Sequence, residues 1–100
     1  MGNKITGLLC PPGSKPKLID IENDTCSLEK MLEGPVGIKE LGDDGICLLF
    51  NDDGDIKDLV INRVIQGEPI YGSCFFCRKE GAAFISLTPE EIKELEHLLS

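Results

Sequence analysis

NDDGDIKDLVINRVIQGEPIYGSCFFCRK, residues 51–79, is the stretch on which the reading of the whole chain turns. It opens on a polar turn, Asn51-Asp52-Asp53-Gly54-Asp55, between two apolar segments. Residues 56–61 read as a strand or extended segment that delivers Asn62-Arg63. Val64 and Ile65 are apolar again, Gln66-Gly67-Glu68-Pro69 breaks the chain, and Ile70 to Lys79 reads as a long strand.

Working outward from there, the preceding segments give two hairpins. Ile5 to Cys10 is an apolar run that stops at Pro11-Pro12-Gly13, and Lys17 to Ile21 follows as a half-buried strand. Val36 to Leu41 and Ile46 to Phe50 form a second pair across Gly42-Asp43-Asp44-Gly45. The Ile46–Phe50 run is apolar on both faces and is expected to be central. Between the pairs, Asp24, Thr25 and Ser27 can cap a short helix, SLEKMLE, whose Leu28, Met31 and Leu32 share one face. Gly34 is expected to end it in a left-handed conformation, with Pro35 barring continuation.

After the central stretch, Gly81 marks a turn and Ala82 to Leu87 a last strand. Thr88-Pro89-Glu90-Glu91 is then a helix start: N-cap, proline at the first position, and a glutamate closing the capping box. Ile92, Leu95, Leu98 and Leu99 form the stripe expected to pack on the sheet. The expected fold is α+β, a single domain over residues 1–100. It is a mainly antiparallel sheet of five to seven short strands with a short helix and a C-terminal amphipathic helix.

Charge narrows the function classes. The 100 residues carry a net charge of −8, concentrated at 18–60, where twelve acids face Lys30, Lys39 and Lys57. Such a chain is poorly suited to bind nucleic acid directly but well suited to mimic it toward a basic protein. Small basic islands lie at 1–17 and 61–79. Five cysteines, an odd number, fit reduced and mostly buried thiols in a cytoplasmic protein. No apolar run approaches the ~20 residues of a membrane helix.

Three motif readings fail on spacing. Gly13-Ser14-Lys15 lacks the GxxxxGK[ST] pattern of a phosphate loop. A calcium loop with Gly54 at its sixth position would start on Leu49 and end on Val60, neither of which can coordinate the ion. Cys74 and Cys77 have Cys-x-x-Cys spacing, but Phe75-Phe76 gives no turn, and in a strand positions i and i+3 point to opposite faces. No metal site, cofactor or catalytic set is therefore expected. The single histidine, His97, lies beside the helical leucine stripe. The candidate ligand site is instead Asn62 and Arg63, with Tyr71 for stacking and Arg78 and Lys79 for charge. The competing reading is that Asn62 and Arg63 hold the fold together.

The order of the motifs resembles a known family. It comprises Pro12-Gly13-Ser14-Lys15-Pro16 after a first strand, a leucine-bearing helix before Gly34, and Asn51 to Gly54 after an apolar strand. Asn62-Arg63, Gly72 in a strand, and Ser86-Leu87-Thr88 before the last helix complete it. The chain resembles the small proteins grouped as domain of unknown function 3846, found in bacteria, their phages and mobile elements. The resemblance implies a non-enzymatic accessory protein in the cytoplasm of a bacterial host, and from it we expect a protein that counters host defence. The lead expectation is sequestration of a small anionic, nucleotide-derived signal by Asn62, Arg63 and Tyr71. Its alternatives are an acidic inhibitor that binds a host defence protein by mimicking nucleic acid, and a structural or regulatory adaptor. Self-association into a homo-oligomer is compatible with each.

Overall fold

The computed structural model describes residues 4–42, 45–53, 59–81 and 83–99, and for Arg63 the backbone alone. The expected extended segment at 56–58, Gly54 of the polar turn, and the hairpin residues Asp43 and Asp44 lie outside the described residues.

The fold is α+β, with every strand pairing antiparallel. Strands β1 (Lys4–Cys10) and β2 (Lys17–Glu22) form the first hairpin, followed by helix α1 (Thr25–Leu32). The second hairpin is β3 (Val36–Glu40) with β4 (Ile46–Asn51). A third, β5 (Ile61–Ile65) with β6 (Glu68–Tyr71), is a separate two-stranded sheet. Then β7 (Cys74–Glu80), β8 (Ala83–Ile85) and helix α2 (Pro89–Leu99) complete the chain. The main sheet runs β2-β1-β7-β4-β3, with β8 also paired to β7.

The centre of this sheet is β7, flanked by β1 and β4. Its first four residues, Cys74, Phe75, Phe76 and Cys77, are all buried and alternate between two cores. Cys74 and Phe76 join Leu8, Cys10, Leu48, Ile70, Leu87 and Leu95 on the face covered by α2 and the third hairpin. Phe75 and Cys77 join Ile5, Cys47, Leu49, Leu28 and Leu32 on the face covered by α1. Period-two alternation in a strand buried on both sides turns a continuous apolar run into two cores. Each phenylalanine contributes about 1.5–3 kcal/mol by leaving water. The double-faced β4 is central too, as its sequence led us to expect.

Glycine enters where backbones meet. A Cβ on Gly7 would lie 2.2 Å from the Phe76 carbonyl oxygen and 2.5 Å from the Phe75 ring. Gly34 sits under the Asn51 amide, with a Cβ there 2.6 Å from Nδ2. That crowding explains a departure from expectation at the end of α1. Glu33, not Gly34, takes the left-handed conformation, at φ 63°, and Gly34 supplies the close approach instead. Buried Asn51 donates from Nδ2 to the Leu32 and Glu33 carbonyls, both at 3.1 Å, and accepts from the Asp53 N–H at 2.8 Å. It thereby satisfies carbonyls that the helix end leaves open.

Three further expectations are corrected. The long strand read from Ile70 to Lys79 is two strands, because Gly72 adopts φ +73° and turns the chain between β6 and β7. Residues 66–69, read as a break, begin with the two-residue turn of the third hairpin: Gln66 at φ 50° and Gly67 at φ 82°. Two positive φ values match the twist of the flanking strands, and the Gln66 amide secures the turn by donating to the Leu41 carbonyl at 3.0 Å. In α2 the capping box forms as read, Glu91 N–H to Thr88 Oγ1 at 3.2 Å and Thr88 N–H to Glu91 Oε1 at 2.9 Å. Leu98, however, faces solvent at 76% exposure, so of the expected stripe Ile92, Leu95 and Leu99 pack against the core.

Gly7→Ala is expected to destabilise the protein by about 1–3 kcal/mol, because β1 must move off β7 to admit a methyl group. The urea midpoint of unfolding reads this directly, and an unchanged midpoint would contradict the β1–β7 packing. A second prediction concerns α1, where the Asp24 carboxylate accepts from the Ser27 N–H at 2.7 Å. That bond holds its pKa below the ordinary 3.8. A depressed folded-state pKa means the cap's contribution is complete above the unfolded value and disappears as pH falls through the folded one. Asp24→Asn, which caps without titrating, should therefore lose less stability than wild type in the most acidic part of a thermal-melting series.

Candidate functional site

The third hairpin carries the polar pair singled out in the sequence. Ile61 pairs with Tyr71 and Arg63 with Ile70, so Asn62 is an extra residue in β5 with no opposite number, a β-bulge. The bulge turns the Asn62 side chain inward. Its Nδ2 donates to the Cys10 carbonyl at 2.6 Å and the Gly72 carbonyl at 2.9 Å, with Cys74 Sγ at 3.6 Å. Both amide protons are thereby committed to carbonyls, one at the end of β1 and one between β6 and β7. The Gly72 N–H in turn donates to the Val60 carbonyl at 2.7 Å, which closes the base of the hairpin. Asn62 thus fastens the outer hairpin to the main sheet.

The remaining candidates separate. Arg78 on β7 forms an ion pair with Glu91 at 2.5 Å, joining the sheet to the first turn of α2. Lys79 Nζ lies 3.9 Å from Glu40 at the end of β3. The Arg63 backbone pairs in β5, and its side chain is outside the described residues. Of the four candidates with described side chains, Tyr71 lines a cleft. The described side chains do not converge on one anion site: Asn62 faces β1, Arg78 faces α2, and Lys79 faces β3.

The cleft lies between the end of β4 and the third hairpin, with a volume of about 270 Å³. Phe50 and Asp52 line it from one side, and Glu68, Pro69 and Tyr71 from the other. Gly37 allows the Phe50 ring to lie against β3, since a Cβ there would be 2.7 Å from the ring. Asp52 is fixed by its backbone, whose N–H donates to the Pro35 carbonyl at 2.9 Å. Its carboxylate has no hydrogen-bond or ion-pair partner among the described residues. Glu68 pairs with Lys39 at 3.1 Å at the rim, and its side chain remains 63% exposed. Two aromatic rings and the Asp52 carboxylate around an open space, with Glu68 already paired to Lys39 at the rim, suit a single added cation.

Phe50, Glu68 and Pro69 were not singled out in the sequence. The only local signal was aromatic and acidic residues on either side of two turns. Their meeting depends on the third hairpin docking beside β4. The cysteines occupy other places: Cys74 lies opposite Cys10, and Cys77 opposite Cys47, across neighbouring strands. The described residues contain no group of three or more His, Cys, Asp or Glu arranged to hold a metal ion, and no helix long and apolar enough to cross a membrane.

The family model for domain of unknown function DUF3846 matches residues 5–100. The chain belongs to that family. Neither curated proteins nor solved structures give a match to it. The family description names no activity, so function in this DUF3846 protein is argued from the geometry.

Asn62→Ala should cost about 1–3 kcal/mol, because the Cys10 and Gly72 carbonyls lose their donor. Hydrogen exchange should show the loosening first at the 59–72 hairpin, with global denaturation shifted in step. Unchanged exchange in that hairpin would leave Asn62 available for another role.

Proposed function

We propose that this DUF3846 protein is a non-catalytic binding protein that engages a basic surface of a protein partner, its acidic face standing in for nucleic acid. The observation that carries this reading is the cleft of Phe50, Asp52, Glu68, Pro69 and Tyr71, where the Asp52 carboxylate, without an ion pair among the described residues, shares the lining with two rings. An arginine or lysine side chain of the partner is the anchor it fits. A ring–cation contact of this kind contributes roughly 0.5–2 kcal/mol, and the acidic surface around it speeds encounter. Val60, Ile61 and Val64, all more than half exposed near or in β5, add apolar contact area of the kind protein partners use.

The sequestration of an anionic nucleotide is the less supported reading. It needs cations gathered around a pocket, whereas Arg78 and Lys79 face Glu91 and Glu40, and the cleft beside Tyr71 presents carboxylates. In a phage or mobile element, a protein of the proposed kind would blunt a host defence by occupying the nucleic-acid site of one of its components.

The test uses immobilised wild type, Asp52→Asn and Tyr71→Ala, each exposed to bacterial extract at low salt. Wild type should retain basic proteins that elute as salt rises and that duplex DNA displaces. Each variant should hold them roughly tenfold more weakly, at unchanged melting temperature. Recovery of a stoichiometric nucleotide from the denatured wild-type protein, with no basic protein retained, would overturn the proposal in favour of sequestration.

A further inference from the structure

The four buried cysteines are arranged as two cross-strand couples, and the couples differ. Cys10 lies opposite Cys74 between β1 and β7, and there the Cys74 thiol is directed at the Cys10 carbonyl, 3.9 Å away. Cys47 lies opposite Cys77 between β4 and β7, and there the sulfurs face each other at 3.7 Å, with neither residue exposed. The two sulfurs are in van der Waals contact, held on adjacent strands by backbone pairing on both sides of the couple. Closing that gap to a bond takes side-chain rotation and a slight approach of the strands, well within the separations that disulfides span.

We propose that Cys47 and Cys77 form an intramolecular disulfide under oxidising conditions, a covalent modification site that joins the two central strands β4 and β7. All five residues of the cleft lie between positions 47 and 77, so the bond would close the loop that carries the cleft. With hydrogen peroxide as oxidant the chemistry balances in two steps. The Cys47 thiolate attacks a peroxide oxygen, the O–O bond breaks, and with one proton the products are Cys47 sulfenic acid and water. The Cys77 sulfur then attacks the Cys47 sulfur, the S–O bond breaks, and the Cys77 proton leaves with the hydroxyl as a second water. Two electrons pass from the thiols to one peroxide. Either sulfur can donate in that contact; the shared hydrogen bond draws the Cys47 thiol down against the opposing effect of burial, while the same contact and burial push the Cys77 thiol up. Lys79 also favours the Cys47 thiolate. Cys26, the one exposed cysteine, stands apart on α1 and is open to intermolecular oxidation instead.

The experiment treats the full-length protein with Cys26→Ser, which removes intermolecular pairing without touching the core. After graded hydrogen peroxide, the protein is unfolded in an alkylating agent and digested, and the peptides are identified by mass spectrometry. The expected result is a linked pair of peptides containing Cys47 and Cys77, two hydrogens lighter than their sum, with Cys10 and Cys74 alkylated. The linked form should melt at a temperature higher by roughly 5–15 °C, since a loop of this length is constrained in the unfolded chain, and a reductant should reverse the shift. Cys47 and Cys77 both alkylated after full treatment, or a link between Cys10 and Cys74 instead, would overturn the proposal. So would a Cys47 that stops at sulfinic acid with Cys77 unreacted.

Discussion

Everything in this fold depends on one strand being buried on both faces. Across Cys74-Phe75-Phe76-Cys77, β7 sends alternate side chains into two cores, and its backbone pairs with β1 on one edge and β4 on the other. A strand in that position has no room for a polar side chain and no tolerance for crowding, which is why Gly7 faces Phe76 with no space for a Cβ. The two helices have the same task on opposite sides. Each supplies a short apolar stripe that closes a core the sheet cannot close alone.

The outer hairpin is held differently. It contributes Ile70 and part of Ile65 to one core, but its attachment also relies on two side-chain amides, Asn62 toward the Cys10 carbonyl and Gln66 toward the Leu41 carbonyl. A bulge is an economical way to place such a group, since the unpaired residue is free to turn its side chain away from the ladder. Asn51 performs the matching task on the other side of the sheet, where it binds the last carbonyls of α1. Two asparagines, each beside a tight backbone passage, thus tie the peripheral elements to the centre. Between the segments they fix lies the cleft, with Phe50 and Asp52 next to Asn51 in sequence and Tyr71 next to Gly72.

Electrostatics points the same way as geometry. The described cations of the 61–79 segment sit beside carboxylates of their own chain, while the acidic excess of 18–60 includes Asp52, which has no such partner among the described residues. Pairs of this kind at the surface contribute little stability, but they remove from the surface the positive charge that an anionic ligand would need. The net charge of the chain is −8, and the charged residues that line the cleft, Asp52 and Glu68, are both acidic.

The sequence by itself determined the local elements. Alternation, capping residues and Gly/Pro punctuation are short-range signals, so the first two hairpins, both helices, the capping box of α2 and the opposed directions of Cys74 and Cys77 were all legible. The candidate site was legible only in part, because Tyr71 stood out but Phe50, Glu68 and Pro69 did not. Tertiary structure alone decided whether Asn62 faced a ligand or the backbone, since an unpaired amide in sequence carries no mark of which carbonyls will surround it. It also decided that Gly72 would divide a strand, that Glu33 rather than Gly34 would turn left-handed, and that Leu98 would be left in water. The way elements far apart in the chain pack together bears on these outcomes, and periodicity carries no information about such packing. The physical reason is common to all of them: the free energy of a polar group or a strained φ is set by what packs against it, and packing is settled by the whole chain.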